Sequence, residues 1–125
     1  MQVAASLAAV LIGILTIFQI ALALGVPAGA AAWGGSYPGV LPTRLRVASA
    51  VVGVFFYPPI ALLILDSGGV VDIGWDVSPL WLWVLTGLFL LATLANAVSR
   101  SRVERIWAPV ALAIAICCVV IAIGM

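Results

Sequence analysis

Residues 25–49 read GVPAGAAAWGGSYPGVLPTRLRVAS, and this stretch decides the fold prediction for the whole chain. It is rich in Gly, Pro and Ala, which is typical of a loop, yet it carries no charge before Arg44. Irregular backbone without charges is expected where protein or a membrane interface, rather than bulk water, surrounds it. With Trp33 and Tyr37 in it, the stretch predicts an interfacial or re-entrant membrane loop.

The rest of the chain is apolar enough to place this loop in a membrane protein. Of 125 residues, 66% are hydrophobic and 7% are charged, and a soluble domain cannot cover such a core with so few charges. A bilayer instead requires runs of about 20 apolar residues whose backbone hydrogen bonds close within a helix. The sequence predicts an all-α membrane protein, a four-transmembrane-helix bundle forming a single domain over residues 1–125. The expected spans are about 3–24, 44–65, 79–98 and 104–124, with the Gly/Pro-rich loop between helices 1 and 2.

The loop contains a set of residues that restrict its shape. The glycines permit positive φ angles and close backbone approach, and the prolines fix turns. We therefore predict a shaped, specific loop; the alternative is a Gly/Ala-rich hairpin with no role of its own. The candidate loop residues are Trp33, Gly34, Gly35, Pro38, Gly39 and Pro42.

Two adjacent prolines, Pro58 and Pro59, fall inside the second apolar run. Each removes a backbone N–H and clashes with the preceding turn, so the carbonyls of Val54 and Phe55 lose their helical donors. This predicts a kink or break in the second span. Such a kink marks a substrate path or serves only packing.

The basic residues are sorted along the chain. All five are arginines, at 44 and 46 before the second span and at 100, 102 and 105 between the third and fourth spans. Four spans place these two connections on one side of the membrane and the three aspartates on the other. Short Arg-rich loops stay in the cytoplasm. We therefore expect a multi-pass protein of the cell membrane with both termini outside and loops 25–43 and 99–105 cytoplasmic.

Four polar residues lie near the arginine-bearing side and form the candidate polar cluster: Gln19, Arg46, Asn96 and Glu104. Polar groups in or beside lipid tend to face the bundle interior and bond to one another or to backbone. We predict that they gather beneath the Trp33-Gly34-Gly35 loop and form a functional site there. The alternative is a structural lock that holds the loop against the bundle.

Short local patterns predict helix starts and packing faces. Ser78 before Pro79 is typical of a helix N-terminus, and Ser101 with Glu104 has the spacing of a capping box. Small residues four apart predict close helix packing, at Ala5, Ala9 and Gly13 in the first span and at Ser49 and Gly53 in the second.

Several classes of function lack the residues they need. Without histidine there is no base for a serine nucleophile and no obvious ligand for a catalytic metal or haem, so no catalytic, metal or cofactor-binding residue is predicted. No span carries a charge at its centre, which weakens ion-coupled transport. Cys117 and Cys118 are adjacent, unlike a redox pair, and are expected to be packing residues. No basic run indicates a nucleic-acid partner.

The two arginine-bearing stretches contain a series of short motifs in a fixed order. These are Gly25-x-Pro27-x-Gly29, Trp33-Gly34-Gly35, Pro38-Gly39-x-Leu41-Pro42-x-x-Leu45-Arg46-x-x-Ser49, Leu94-x-Asn96, Ser99-Arg100-Ser101, Glu104-Arg105 and Trp107-x-Pro109-Val110. In these residues the chain resembles a family of small four-helix bacterial integral membrane proteins. The similarity covers nearly the whole chain in order and spacing, and it implies architecture and no activity.

Two classes of function stay open. The first is a non-catalytic membrane subunit or scaffold that associates with itself, as a homo-oligomer, or with another membrane protein in the lipid bilayer. The alternative is a carrier or binding protein for a small apolar or lipid-like molecule that enters at the Pro58–Pro59 kink. A membrane enzyme ranks third. A hydrophobic cavity at the kink would favour the alternative, and a packed bundle with an exposed small-residue face would favour the first.

Overall fold

Four long helical spans, one of them built from two helices, make up most of the chain, and there are no strands. The structure, a computed structural model, describes residues 1–125. The helices are α1 (Gln2–Ala23), α2 (Thr43–Val51), α3 (Tyr57–Ser67), α4 (Pro79–Ala97) and α5 (Trp107–Gly124). A π-helical turn, Val52–Phe56, joins α2 to α3, so that Thr43–Ser67 is one span of 25 residues. All four spans are long and apolar enough to cross a membrane, which confirms the predicted all-α fold with four apolar helices.

The order of helix packing leaves one side of the bundle loosely closed. α1 packs against α2, α3 and α5, and α5 packs against α4. α4 makes at most isolated contacts with the second span. α1 and α5 therefore form the middle of the bundle, with the second span and α4 at its two sides.

A continuous apolar core runs between α1, α3, α4 and α5. Its fully buried side chains include Ile12, Ile64, Leu82 and Ile114. The free thiols of Cys117 and Cys118 lie within the same core, where they pack as small apolar groups.

The outer surface of the helices is also apolar. Only 25 of the 125 residues are buried, and large side chains such as Phe55 and Leu91 are 71% and 66% exposed. Soluble monomers rarely expose apolar patches of this extent. The surface is therefore suited to lipid rather than to water.

The start of α4 follows the local pattern in the sequence. The Ser78 hydroxyl accepts a hydrogen bond from the Leu80 N–H at 3.3 Å, and Pro79 takes the first helical position. That position has no intrahelical acceptor for an N–H, so a proline there loses nothing.

The double proline does not break the second span. Pro58 and Pro59 fall in the first turn of α3, directly after the π-helical turn. The Tyr57 N–H donates to the Val52 carbonyl five residues back, which is the π pattern. The predicted kink or break is thus a widened helical turn within a continuous span.

The two arginine-bearing connections meet at one end of the bundle, here called the arginine end. The Ser101 hydroxyl, in the connection before α5, donates to the Ala30 carbonyl in the connection before α2. The Trp107 indole N–H donates to the Ala31 carbonyl at 3.0 Å. The long loop is therefore fixed to the helices rather than projecting away from them.

The opposite end, here called the aspartate end, holds the connection 68–78 and both termini. The Gln2 side-chain amide donates to the Gly69 carbonyl at 3.1 Å. Gly68 and Gly124 both lie against Met1. The basic and acidic connections are thus at opposite ends of the molecule.

Candidate functional site

A cavity of about 290 Å³ lies at the arginine end, inside the bundle. Five of its lining side chains are aromatic, and we call it the aromatic cavity. Its wall is formed by every span and by the long loop. The 14 lining residues are Leu15, Phe18, Gln19, Ala31, Ala32, Trp33, Val52, Tyr57, Phe89, Ala92, Asn96, Glu104, Trp107 and Ala111.

Helical spacing explains most of this wall. Leu15, Phe18 and Gln19 are three and four residues apart, so they share one face of α1. The residues that α4 contributes repeat the same spacing. Each helix therefore presents one stripe to the cavity and the rest of its surface to neighbours or to the outside.

The second span contributes two residues that an α-helix would not place together. Val52 and Tyr57 are five residues apart, which in an α-helix is about 140° of rotation. The π turn between them brings both to the cavity. Pro58 and Pro59 do not line the cavity, so they shape it through the turn that precedes them.

Trp33 is held in an uncommon backbone conformation. Its φ is 51°, in the left-handed region that non-glycine residues rarely adopt. The indole N–H donates to the hydroxyl of Ser49, which is fully buried, at 2.9 Å. The loop is thereby tied to α2, and the indole closes one side of the cavity.

Trp107 forms another part of the aromatic wall. Its ring lies 4.8 Å from that of Phe18, centroid to centroid, with the planes tilted by 43°. This distance is within the favourable range for an aromatic pair. The pair joins α5 to α1 across the arginine end.

The other candidate loop residues shape the loop without lining the cavity. Pro38 and Gly39 lie on its exposed outer turn, and the Gly39 carbonyl accepts a hydrogen bond from the Gly29 N–H at 3.0 Å. Pro42 precedes α2, and its carbonyl accepts hydrogen bonds from the Leu45 and Arg46 N–H groups. These contacts turn the chain into α2.

Three members of the candidate polar cluster line the cavity, and Arg46 does not. The Arg46 Nε donates to the Ala23 carbonyl at 3.1 Å. That carbonyl lies in the last turn of α1, where acceptors have no intrahelical donor and the helix dipole favours a cation. The sequence places Arg46 at the same depth as the other three polar residues and therefore predicts a shared site. The Arg46 side chain turns toward the end of α1 instead.

Hydrogen bonds among Gln19, Asn96 and Glu104, which a structural lock would need, are not formed. The Asn96 amide donates to the Ala92 carbonyl at 2.8 Å, within its own helix. The Gln19 Oε1 and Glu104 Oε2 atoms are buried and have no hydrogen-bond partner. Gln19, Asn96 and Glu104 are therefore grouped by the cavity and not by bonds to one another.

Glu104 departs from its expected capping role. Its backbone N–H donates to the Ser101 hydroxyl at 3.4 Å, which is one half of the predicted capping box. The other half would need the carboxylate on the Ser101 N–H, which donates instead to the Ser99 hydroxyl at 3.2 Å. The side chain is 9% exposed and lines the cavity.

Sequence reasoning missed the aromatic residues Phe18, Tyr57 and Phe89. Phe18 could have been found, because it shares a helix face with Gln19 and Leu15. Phe89 lies two turns before Asn96 on the same face of α4. Tyr57 had no such signal, because its position depends on the π turn.

No protein-family model, no curated protein and no solved structure matches this chain. The resemblance to small four-helix membrane proteins therefore stays a prediction. Fold and site together define a four-span helical bundle with an aromatic cavity at one end.

Proposed function

We propose that this chain is an integral membrane protein that binds a small, mostly apolar molecule in the aromatic cavity. The observation that supports this most is the cavity itself, because 11 of its 14 lining residues are hydrophobic and only three are polar. Small-molecule sites typically combine an apolar wall with a few placed polar groups. The scaffold function expected from the sequence is therefore the second candidate function.

The proposed placement in the membrane follows the arginines. Both termini and the aspartate end lie outside, and loops 25–43 and 99–105 are cytoplasmic. The long loop lies in the cytoplasmic interface, packed under the bundle. Its support is the Trp33–Ser49 hydrogen bond together with buried Leu41, which is 2% exposed.

The ligand enters sideways, from the lipid, between the second span and α4. Val52 and Tyr57 line the cavity on one side of this gap, and Phe89 and Ala92 line it on the other. The two spans barely touch each other, while α1 and α5 close the back of the cavity. A lateral route of this kind suits a molecule that dissolves in lipid.

The scaffold candidate is favoured by one observation. A side chain at Gly13 would meet nothing within 4 Å, so this part of the predicted small-residue face has no partner within the chain. Small residues in membrane helices allow a second helix to approach closely. In this reading the chain associates with itself or with another membrane protein through α1.

The binding function is tested with a neutral aromatic probe, 2-phenylethanol, and the detergent-solubilised chain. Ala92→Phe adds a ring to the cavity wall, and Ala95→Phe places the same ring on the exposed side of α4. A ligand that binds only the folded chain raises its unfolding temperature. We expect the probe to raise this temperature for the wild type and Ala95→Phe, and to have little effect on Ala92→Phe.

An equal response of all three proteins would place the probe in the detergent or on the outer surface and would reject the binding function. The scaffold candidate would then be the better supported one.

A further inference from the structure

We propose that the ligand of the aromatic cavity is an organic cation, a protonated amine on an apolar body, and that Glu104 holds its charge. This inference rests on the proposed binding function and names its substrate class. It arises from the atoms in the cavity that have no partner.

The carboxyl group of Glu104 is buried at the edge of the cavity. Glu104 is 9% exposed, and its Oε2 has no hydrogen-bond partner in the chain. A buried charge is strongly unfavourable unless it is paired and hydrogen-bonded. A ligand that brings a charged N–H group into the cavity supplies both the opposite charge and the hydrogen bond.

Three side-chain donors at the cavity already have acceptors within the chain. The indole N–H groups of Trp33 and Trp107 donate to Ser49 and Ala31. The Asn96 amide donates within α4. The fully buried polar atoms of the cavity that have no partner are both acceptors, Glu104 Oε2 and Gln19 Oε1, and they favour a ligand that donates.

Arg46 and Arg105 already have hydrogen-bond partners other than Glu104. Arg46 donates to the end of α1, and the Arg105 Nε, next to Glu104 in sequence, donates to the Ser99 carbonyl at 2.7 Å. Both guanidinium groups serve backbone carbonyls at helix ends and turns. The positive partner of Glu104 is thus expected from outside the chain.

The aromatic wall of the cavity also suits a cation. Cations are attracted to the faces of aromatic rings, most strongly to Trp, and sites for ammonium groups are commonly built from several rings. Trp33, Trp107 and Tyr57 line the cavity together with Glu104. An ammonium group therefore finds a carboxylate and several aromatic rings in one place, while apolar residues such as Leu15 and Ala111 line the rest of the wall.

The test compares three probes that share a phenylethyl body and differ in charge: 2-phenylethylamine, 2-phenylethanol and 3-phenylpropanoate. Binding to the detergent-solubilised wild type is measured by equilibrium dialysis at pH 7, where an alkylamine is protonated. We expect the amine to bind at least about tenfold more tightly than the alcohol, because hydrogen bonds to charged groups are the stronger ones. The carboxylate should bind most weakly.

Glu104→Gln keeps the shape of the side chain and removes its charge. We expect it to abolish the preference for the amine while the alcohol keeps its affinity within about twofold, since neutral and charged probes differ only in the ionic contact. Asp76→Asn is the matched control, because it removes an exposed carboxylate from the aspartate end. It should behave as the wild type.

Two results would overturn the inference. One is a wild type that binds the alcohol as tightly as the amine, which leaves the binding function intact. The other is an unchanged preference for the amine in Glu104→Gln. If Glu104→Gln does not accumulate, the ranking of the three probes on the wild type decides alone. Failure of the binding function is separate, because it shows as probe binding that Ala92→Phe does not reduce.

Discussion

Three successive residues with left-handed backbone shape the long loop. Trp33, Gly34 and Gly35 have φ angles of 51°, 79° and 73°. Glycine adopts this region readily, whereas the Cβ of any other residue is crowded there. The turn directs the Trp33 indole to Ser49 and brings Gly35 against Ser101, so that one short stretch joins both connections of the arginine end.

Alanine substitutions at Gly34 and Gly35 separate the effect of backbone strain from the effect of the Gly35–Ser101 contact. Gly34→Ala places a Cβ in open space, so it should lower the free energy of unfolding by about 1–2 kcal/mol, the strain of the left-handed conformation. Gly35→Ala has the same strain and its Cβ would overlap Ser101, which should add about 1–3 kcal/mol. Denaturant titration in mixed micelles measures both. Equal losses would mean that the two connections do not pack together at this point.

The hydrogen-bond partners of single polar residues could not be predicted from the sequence. Arg46 and Glu104 both lie at the depth that the arginine pattern predicts. Which neighbour each side chain meets depends on the rotation of its helix and on competing acceptors. The Ala23 carbonyl competes for Arg46, and the Ser99 hydroxyl competes with Glu104 for the Ser101 N–H. Neither competitor follows from sequence spacing.

At the scale of elements, the π turn is the feature that adapts a long apolar helix to a cavity. Two prolines deprive the carbonyls of Val54 and Phe55 of donors, and the helix widens by one residue at this point. The widening brings Val52 and Tyr57 to one face and lets α3 continue to Ser67.

Replacing both prolines should remove this adaptation. In the double variant Pro58→Ala/Pro59→Ala the two restored N–H groups favour a regular α-helix, which turns Tyr57 away from the cavity. We expect 2-phenylethanol to bind about tenfold more weakly, the equivalent of roughly 1.4 kcal/mol of aromatic contact. The unfolding temperature should not fall, because alanine is the better helix former.

Pro79→Ala is the control for this experiment, since Pro79 occupies the first position of α4, where its missing N–H has no acceptor. It should leave both binding and stability unchanged. A double variant that binds the probe as the wild type does would show that the π turn does not form the cavity.

The elements themselves could be predicted because composition determines them. Runs of about 20 apolar residues have few alternatives to a helix in lipid, and each observed span ends within two residues of its predicted limits. The cavity could not be predicted in the same way. It depends on how four helices rotate about their axes, and helices that are apolar all round give little periodic signal for that rotation.

At the scale of the whole molecule, the charge distribution and the cavity coincide at one end. All five arginines lie in or beside the two connections that hold the Trp33 loop, and the aspartates lie in the connection at the other end. Gln19 and Glu104, whose buried acceptors have no partner, are also at the arginine end. In the proposed orientation the cavity therefore lies nearer the cytoplasm, and a ligand that enters from lipid reaches it from the inner leaflet.

This orientation can be measured with single cysteines. Cys117 and Cys118 are buried and are replaced by alanine. Ser36→Cys then marks the exposed long loop, and Val70→Cys marks the aspartate end, where Val70 is 40% exposed. Neither substitution changes the arginine pattern that sets orientation. A membrane-impermeant maleimide should label Val70→Cys on intact cells, and Ser36→Cys only after the membrane is permeabilised.

Removing arginines provides a second arm of the same experiment. Arg100 and Arg102 are exposed, and in the double variant Arg100→Gln/Arg102→Gln fewer cations hold the arginine end in the cytoplasm. Ser36→Cys should then become partly labelled on intact cells. Labelling of Ser36→Cys before any such change would place the arginine end outside and would reverse the proposed route of the ligand, which would then enter from the outer leaflet.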